Sequence, residues 1–101
     1  MTPPQETETH DVTLSRTERW VVHHALTARA DDFLDDAETP PDWLLESFET
    51  IESGSETFTR VQLRRLVDLL LAYAADGTTP EGDTTTARAV VDRFEVELER
   101  P

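Results

Sequence analysis

Few side chains in this sequence are spaced so that they could do chemistry, and each set has a specific obstacle. His23 and His24 are adjacent. On a helix adjacent side chains point about 100° apart, so the two cannot grip one metal ion together. The positions four residues from them hold Arg19, Trp20, Thr27 and Ala28, none a good ligand, and the E-x-x-H spacing of di-iron bundles is missing. His10 has no sequence partner. Asp31, Asp32, Asp35 and Asp36 form D-D-F-L-D-D. Its like-charge i, i+4 pairs repel, and they crowd the negative end of a helix dipole. A calcium loop needs glycine-bent backbone with ligands at alternating positions, which a helix does not provide. The expected occupants are loosely held, hydrated K⁺ or Na⁺ ions. Cysteine is absent, no G-x-S-x-G occurs, and Gly54, Gly77 and Gly82 are isolated turn residues. No catalytic residue, resident metal or cofactor is therefore expected, and the chain reads as a non-enzyme.

Two further sets point to binding. Arg60, Arg64 and Arg65 open a predicted third helix that follows a turn from the second, the order of a helix-turn-helix. The link between those helices is longer than usual for that motif, and Glu46, Glu49, Glu52 and Glu56 lie nearby to repel phosphates. Nucleic acid is thus the alternative partner, read through these arginines. Trp20 and Trp43 fall off the apolar stripes of the first and second helices. Tryptophan is a preferred anchor at protein interfaces. With Leu71, at the edge of the third helix's apolar arc, the two tryptophans are the candidate contacts for a protein partner or for a second copy of the chain.

Four helical patterns must position these residues. Ser15 and Glu18 have capping-box spacing, and the helix they open carries Val22, Ala25, Leu26, Ala30, Phe33 and Ala37 inward, ending near Asp36. In E-T-P-P-D, Thr39 is the predicted cap and Pro40 suits the first helical position, with the helix running from Pro40 or Pro41 to about Glu52. That second helix turns Leu44, Leu45, Phe48 and Ile51 inward and stops at Ser53-Gly54. The third runs between a Thr59–Gln62 capping box, flanked by Phe58 and Leu63 as a hydrophobic staple, and a glycine stop at Gly77. Its apolar arc is wide: Leu63, Leu66, Val67, Leu70, Tyr73 and Ala74, with Leu69 and Leu71 on the edges. Asp83 or Thr84 caps the fourth, whose stripe is Ala87, Val90, Val91, Phe94 and Leu98. No segment alternates with period two or carries a hairpin turn signal. The expected fold is all-α, an antiparallel four-helix bundle with a short second helix. Residues 1–12 read as a disordered acidic tail, with Val12 to Leu14 extended on the domain, and residues 13–100 as one helical domain.

Charge is the strongest global signal. The chain has 101 residues, with 22 acidic side chains against nine basic ones, and every basic one is arginine. Self-repulsion at a net charge of −13 works against a compact state, and salt near 1 M, where the Debye length is about 3 Å, removes most of it. That acidity also argues against nucleic acid or an anionic membrane as partner. No apolar run approaches a membrane span, and the N-terminus lacks a signal peptide's basic start and apolar stretch, so a cytoplasmic location is expected. Many acids, no lysine and abundant threonine resemble the cytoplasmic proteins of salt-in halophilic archaea. The segments L-S-R-T-E-R-W-V-V-H-H-A-L and F-T-R-V-Q-L resemble the short acidic helical proteins of those organisms. That resemblance spans most of residues 14–98 and implies no activity.

Overall fold

Residues 8–100 are described by the computed structural model. In chain order they form β1 (Thr9–Asp11), α1 (Arg16–Asp35), α2 (Asp42–Glu52), β2 (Thr57–Thr59), α3 (Arg60–Ala75) and α4 (Glu81–Glu99). Four helices therefore dominate, as the apolar periodicities predict, and a small two-stranded sheet joins them.

The sheet is the main departure from the sequence expectation. β1 and β2 pair antiparallel, with His10 opposite Phe58. The ladder extends past both strands: Val12 N–H donates to the Glu56 carbonyl at 2.8 Å and Arg60 N–H to the Glu8 carbonyl at 3.1 Å. Residues 9–12 are thus paired chain and not tail, while residues 1–7 of the expected tail lie outside the described residues. The cause is on both sides of the sheet. Val12 and Leu14 are buried, as is Phe58, and three residues per strand are too few to show an alternation in sequence.

Both capping boxes form. The Ser15 hydroxyl accepts from Glu18 N–H while the Glu18 carboxylate accepts from Ser15 N–H, and Thr59 and Gln62 make the same reciprocal pair. Such caps satisfy two of the donors a helix start leaves orphaned. The other two starts differ from expectation. α2 begins at Asp42 behind Pro41, without a side-chain cap, so Thr39 and Pro40 lie outside the helix. α4 begins two residues before Asp83, behind Pro80, again without a side-chain cap.

Helix ends show a second correction. α3 does not stop on a left-handed Gly77. Asp76 turns extended (φ −71°, ψ 123°), and Thr78 donates both its N–H and its hydroxyl to the Asp76 carboxylate. Those two bonds hold Asp76 below the ordinary carboxylate range. The Thr79 hydroxyl then donates to the Tyr73 carbonyl at 2.8 Å, one of the carbonyls the helix leaves free. α2, by contrast, ends as expected on Gly54 at φ 78°. α1 ends on a left-handed residue too, but it is Ala37, at φ 57°.

The core gathers around α3, which packs most extensively on α4 and also meets α1 and α2. Leu63, Leu66 and Leu70 are fully enclosed with Leu26, Leu44, Val90 and Phe94. The Phe58 and Phe94 rings meet at 5.6 Å between centroids, within the range of a favourable aromatic pair. Two stripes are rotated from their predicted phase. α1 buries Val21, which the predicted stripe omits, and leaves Ala37 exposed beyond its end. α2 buries Ser47 and exposes Leu45; the Ser47 hydroxyl donates to the Trp43 carbonyl at 2.7 Å, which removes its burial penalty. Leu69 is covered and Leu71 is not, so the wide arc of α3 is closed on one edge only.

Two long-range polar ties fix the ends of the chain. Glu18 of α1 and Arg93 of α4 form a bidentate pair at 2.6 Å to each carboxylate oxygen. Burial works to raise the Glu18 carboxyl, but the Ser15 N–H and the Arg93 guanidinium hold it below its ordinary value. His10 Nδ1 lies 3.0 Å from the Glu97 carboxylate and links β1 to α4.

Candidate docking groove

An open groove of about 550 Å³ runs between the first turns of α1 and the C-terminal end of α2. Its lining mixes two arginines, two aromatic rings, an aliphatic floor and two polar groups, one of them acidic: Arg16, Arg19, Trp20, His23, Ile51, Thr17 and Glu52. The elements explain the grouping. Residues 16, 20 and 23 share one side of α1 by helical spacing, and Ile51 at the end of α2 forms the buried floor. Trp20 is 60% exposed although it is the largest apolar side chain near the groove. Its ring stacks on His23 at 6.3 Å and meets His24 at 5.1 Å. His23 in turn meets the Phe48 ring edge-on at 5.6 Å and lies 3.5 Å from the Glu52 carboxylate. The indole thus meets both imidazoles while most of its surface stays open to solvent. Arg16 and Arg19 form no ion pair among the described residues, in a chain with acids to spare. Near Arg19 the backbone comes close: a Cβ on Gly54 would stand 3.4 Å from the guanidinium.

The three residues expected to form one contact surface are not brought together. Trp20 lines this groove. Trp43 is half-buried against the core and lines a separate hollow of about 280 Å³ with Arg29, Arg65 and Leu69. Leu71 is exposed on α3 and lines neither. Arg16, Arg19 and His23 are the groove residues that sequence reasoning missed as a site. The available signal was the i, i+4 spacing of Arg16 and the i, i+3 spacing of His23 from Trp20, with Arg19 beside it in sequence, which gathers polar side chains near an off-stripe indole.

The arginine set also separates. Arg60 is largely buried, and its Nη2 donates to the Leu98 carbonyl at 3.0 Å near the end of α4. Its predicted place beside Arg64 and Arg65 on a nucleic-acid face is therefore corrected: the side chain serves as a cap for α4. Arg64 and Arg65 are exposed, and both border a shallow hollow with Val61 and Asp68.

Other reactive groups are ordinary in their surroundings. Burial first, then the hydrogen bond to Asp83 at 2.9 Å, pushes the Tyr73 phenol up to about 12. Among the described residues no three histidine, aspartate or glutamate side chains are placed to hold a metal ion. Asp31, Asp32, Asp35 and Asp36 are all exposed. Among the described residues no helix is long and apolar enough to cross a membrane.

Residues 12–95 match the model of a family described as a family of unknown function (DUF7853), and the chain belongs to that family. No curated protein and no solved structure matches the chain.

Proposed function

We propose that this protein is a small non-enzymatic interaction module of a halophile's cytoplasm, its four helices arranged as an antiparallel bundle, that acts by docking a protein through the Trp20 groove. The observation that carries this reading is an indole left 60% exposed in a groove it shares with two arginines that form no ion pair among the described residues. Leaving the tryptophan 60% exposed forgoes about 1–2 kcal/mol of the burial that a large apolar side chain can contribute, and a partner recovers part of it on binding. The two cations set the sign of that partner's contact, acidic or carboxylate-bearing. The high negative charge elsewhere discourages non-specific association.

The test is capture on the full chain in molar KCl, identification of what is retained, and reconstitution with the purified partner. Trp20→Ala and Arg19→Glu should each abolish binding, while Leu71→Ala leaves it intact. A partner held equally well by Trp20→Ala would refute the groove.

The alternative, a DNA-associated regulator, would rest on Arg64 and Arg65 without Arg60. Duplex binding at molar KCl that is lost on Arg64→Glu would favour it.

A further inference from the structure

A second hollow lies toward the opposite end of α2 from the Trp20 groove, where α1, α2 and α3 meet. It holds about 280 Å³, and each helix supplies a wall: Arg29 from α1, Trp43 from the first turn of α2, and Arg65, Asp68, Leu69 and Ala72 from α3. The α3 residues fall at i, i+3, i+4 and i+7, so they share one face of that helix within an arc of about 100°. The base of the hollow is fixed by the core. Leu69 is buried, and Trp43 and Phe33 pack against the core cluster. Phe33 also steadies one wall, because the Arg29 guanidinium lies over its ring at 5.1 Å. Part of the side-chain ordering that a ligand would otherwise have to impose is therefore complete before anything binds.

The fold does not balance the charges around this hollow. Arg29 and Arg65 form no ion pair among the described residues, although Asp68 stands one turn from Arg65 on the same face. Two arginines from different helices thus border one depression as like charges. An anion placed there turns that repulsion into attraction and accepts hydrogen bonds from the guanidinium forks. With Asp68 the lining keeps one net positive charge, which matches a monoanion; a second negative charge would meet the aspartate. Trp43, Leu69 and Ala72 add an apolar surface that suits a flat ring and offers nothing to a bare inorganic ion. The volume is just below the roughly 300–1,000 Å³ of ordinary ligand pockets, so the body is small. We propose that this hollow is a binding site for a small aromatic carboxylate, its carboxylate held by Arg29 and Arg65 and its ring laid against Trp43. The site is separate from the docking groove, since no residue lines both.

The test is a titration of the isotope-labelled full chain with benzoate in molar KCl, read from the indole N–H signals of its two tryptophans, with circular dichroism to show that each variant folds. A saturable shift of the Trp43 signal at millimolar benzoate is expected. Acetate lacks the ring, benzamide lacks the charge and phenyl phosphate adds a second charge, and each should bind about tenfold more weakly or worse. Arg29→Gln and Arg65→Gln should each weaken benzoate by about tenfold. Arg88→Gln, which removes the same charge from an exposed position on α4, should leave it unchanged. No saturable shift at Trp43, a shift that acetate or benzamide matches, or an equal loss in all three arginine variants would each overturn the site. Phenyl phosphate binding as tightly as benzoate would overturn the choice of a carboxylate. A shift confined to Trp20 would overturn this site and assign the anion to the groove.

Discussion

Replacing Ala37 by glycine should stabilise this protein, and the structure gives both the size and a control. Helices α1 and α2 end in the same arrangement. After α1, Glu38 N–H donates to the Phe33 carbonyl at 2.7 Å and Ala37 N–H to the Leu34 carbonyl at 3.0 Å. After α2, Ser55 N–H donates to the Thr50 carbonyl at 3.1 Å and Gly54 N–H to the Ile51 carbonyl at 3.2 Å. Both are complete Schellman motifs, and both need a left-handed residue at the same place. α2 supplies glycine there and α1 supplies alanine, at φ 57°. A left-handed conformation costs an L-residue about 1–2 kcal/mol. Glycine removes that cost but adds about 0.4–1 kcal/mol of unfolded-state entropy. Ala37 is exposed, so its methyl group contributes no packing to be lost. The net expectation is a gain of about 0.5–1 kcal/mol, or a melting temperature higher by roughly 2–6 °C for a domain of this size. Gly54→Ala should lose a similar amount by the same backbone argument, since its new Cβ would meet only the flexible tip of Arg19, at 3.4 Å. Urea unfolding of both variants measures this, and the denaturant slope should not change, because neither substitution alters the surface exposed on unfolding. If Ala37→Gly is neutral or destabilising at an unchanged slope, the left-handed strain assigned to Ala37 is wrong.

Five other outcomes follow from the packing, the ion pairs and the net charge. Phe58→Ala empties the fully buried site between the sheet and Phe94, and should cost about 3–5 kcal/mol in chemical denaturation, enough to unfold much of the population of a marginal domain. Glu18→Gln keeps a side chain that can cap but removes the charge facing Arg93; a double-mutant cycle with Arg93→Met should give a coupling of about 0.5–1 kcal/mol, discounted for the exposure of the arginine. Because the folded-state Glu18 carboxyl lies below its unfolded value, its contribution is present above the unfolded value and is lost as pH falls through the folded one, so Glu18→Gln should flatten the acid limb of the stability–pH curve. The Tyr73 phenol should resist ionisation until about 12 when followed by ultraviolet absorbance, with the stability it contributes intact below its unfolded value and lost as pH rises through the folded one. Thermal stability should rise steadily with KCl, since the net charge of −13 is screened; a melting temperature independent of salt would remove the electrostatic argument from composition.

What could be read from the sequence, and what could not, follows the range of the forces involved. Helix existence and the two capping boxes were legible because Ser15–Glu18 and Thr59–Gln62 interact over three residues, and the signal lies wholly within the segment. The sheet was not, because Thr9–Asp11 and Thr57–Thr59 find each other across nearly fifty residues and neither triplet alternates long enough to announce a strand. The helix stops divide the same way. Gly54 signals its own conformation, but Ala37 is left-handed because Phe33 and Leu34 offer carbonyls in the right place, a fact no propensity scale records. Arg60 shows the limit for function: its spacing from Arg64 and Arg65 suggested a shared face, yet the carbonyl of Leu98, 38 residues later in the last turn of α4, takes it away.

The groove was hidden by composition. In a chain this acidic, each arginine is naturally read as the partner of some nearby carboxylate, and Arg93 with Glu18 obeys that rule at 2.6 Å. Arg16 and Arg19 are one turn or less from that glutamate in sequence, but Glu18 points toward α4 while they border the side of α1 that holds Trp20. Helical phase therefore separates charges that sequence places together. It also gathers Arg16, Trp20, Asp31 and Leu34, spread over nineteen positions, into one arc of α1. Compensation of charge within the chain accounts for Glu18 and Arg93; it does not account for a helix that is basic and aromatic at its start and acidic around a bare leucine at its end.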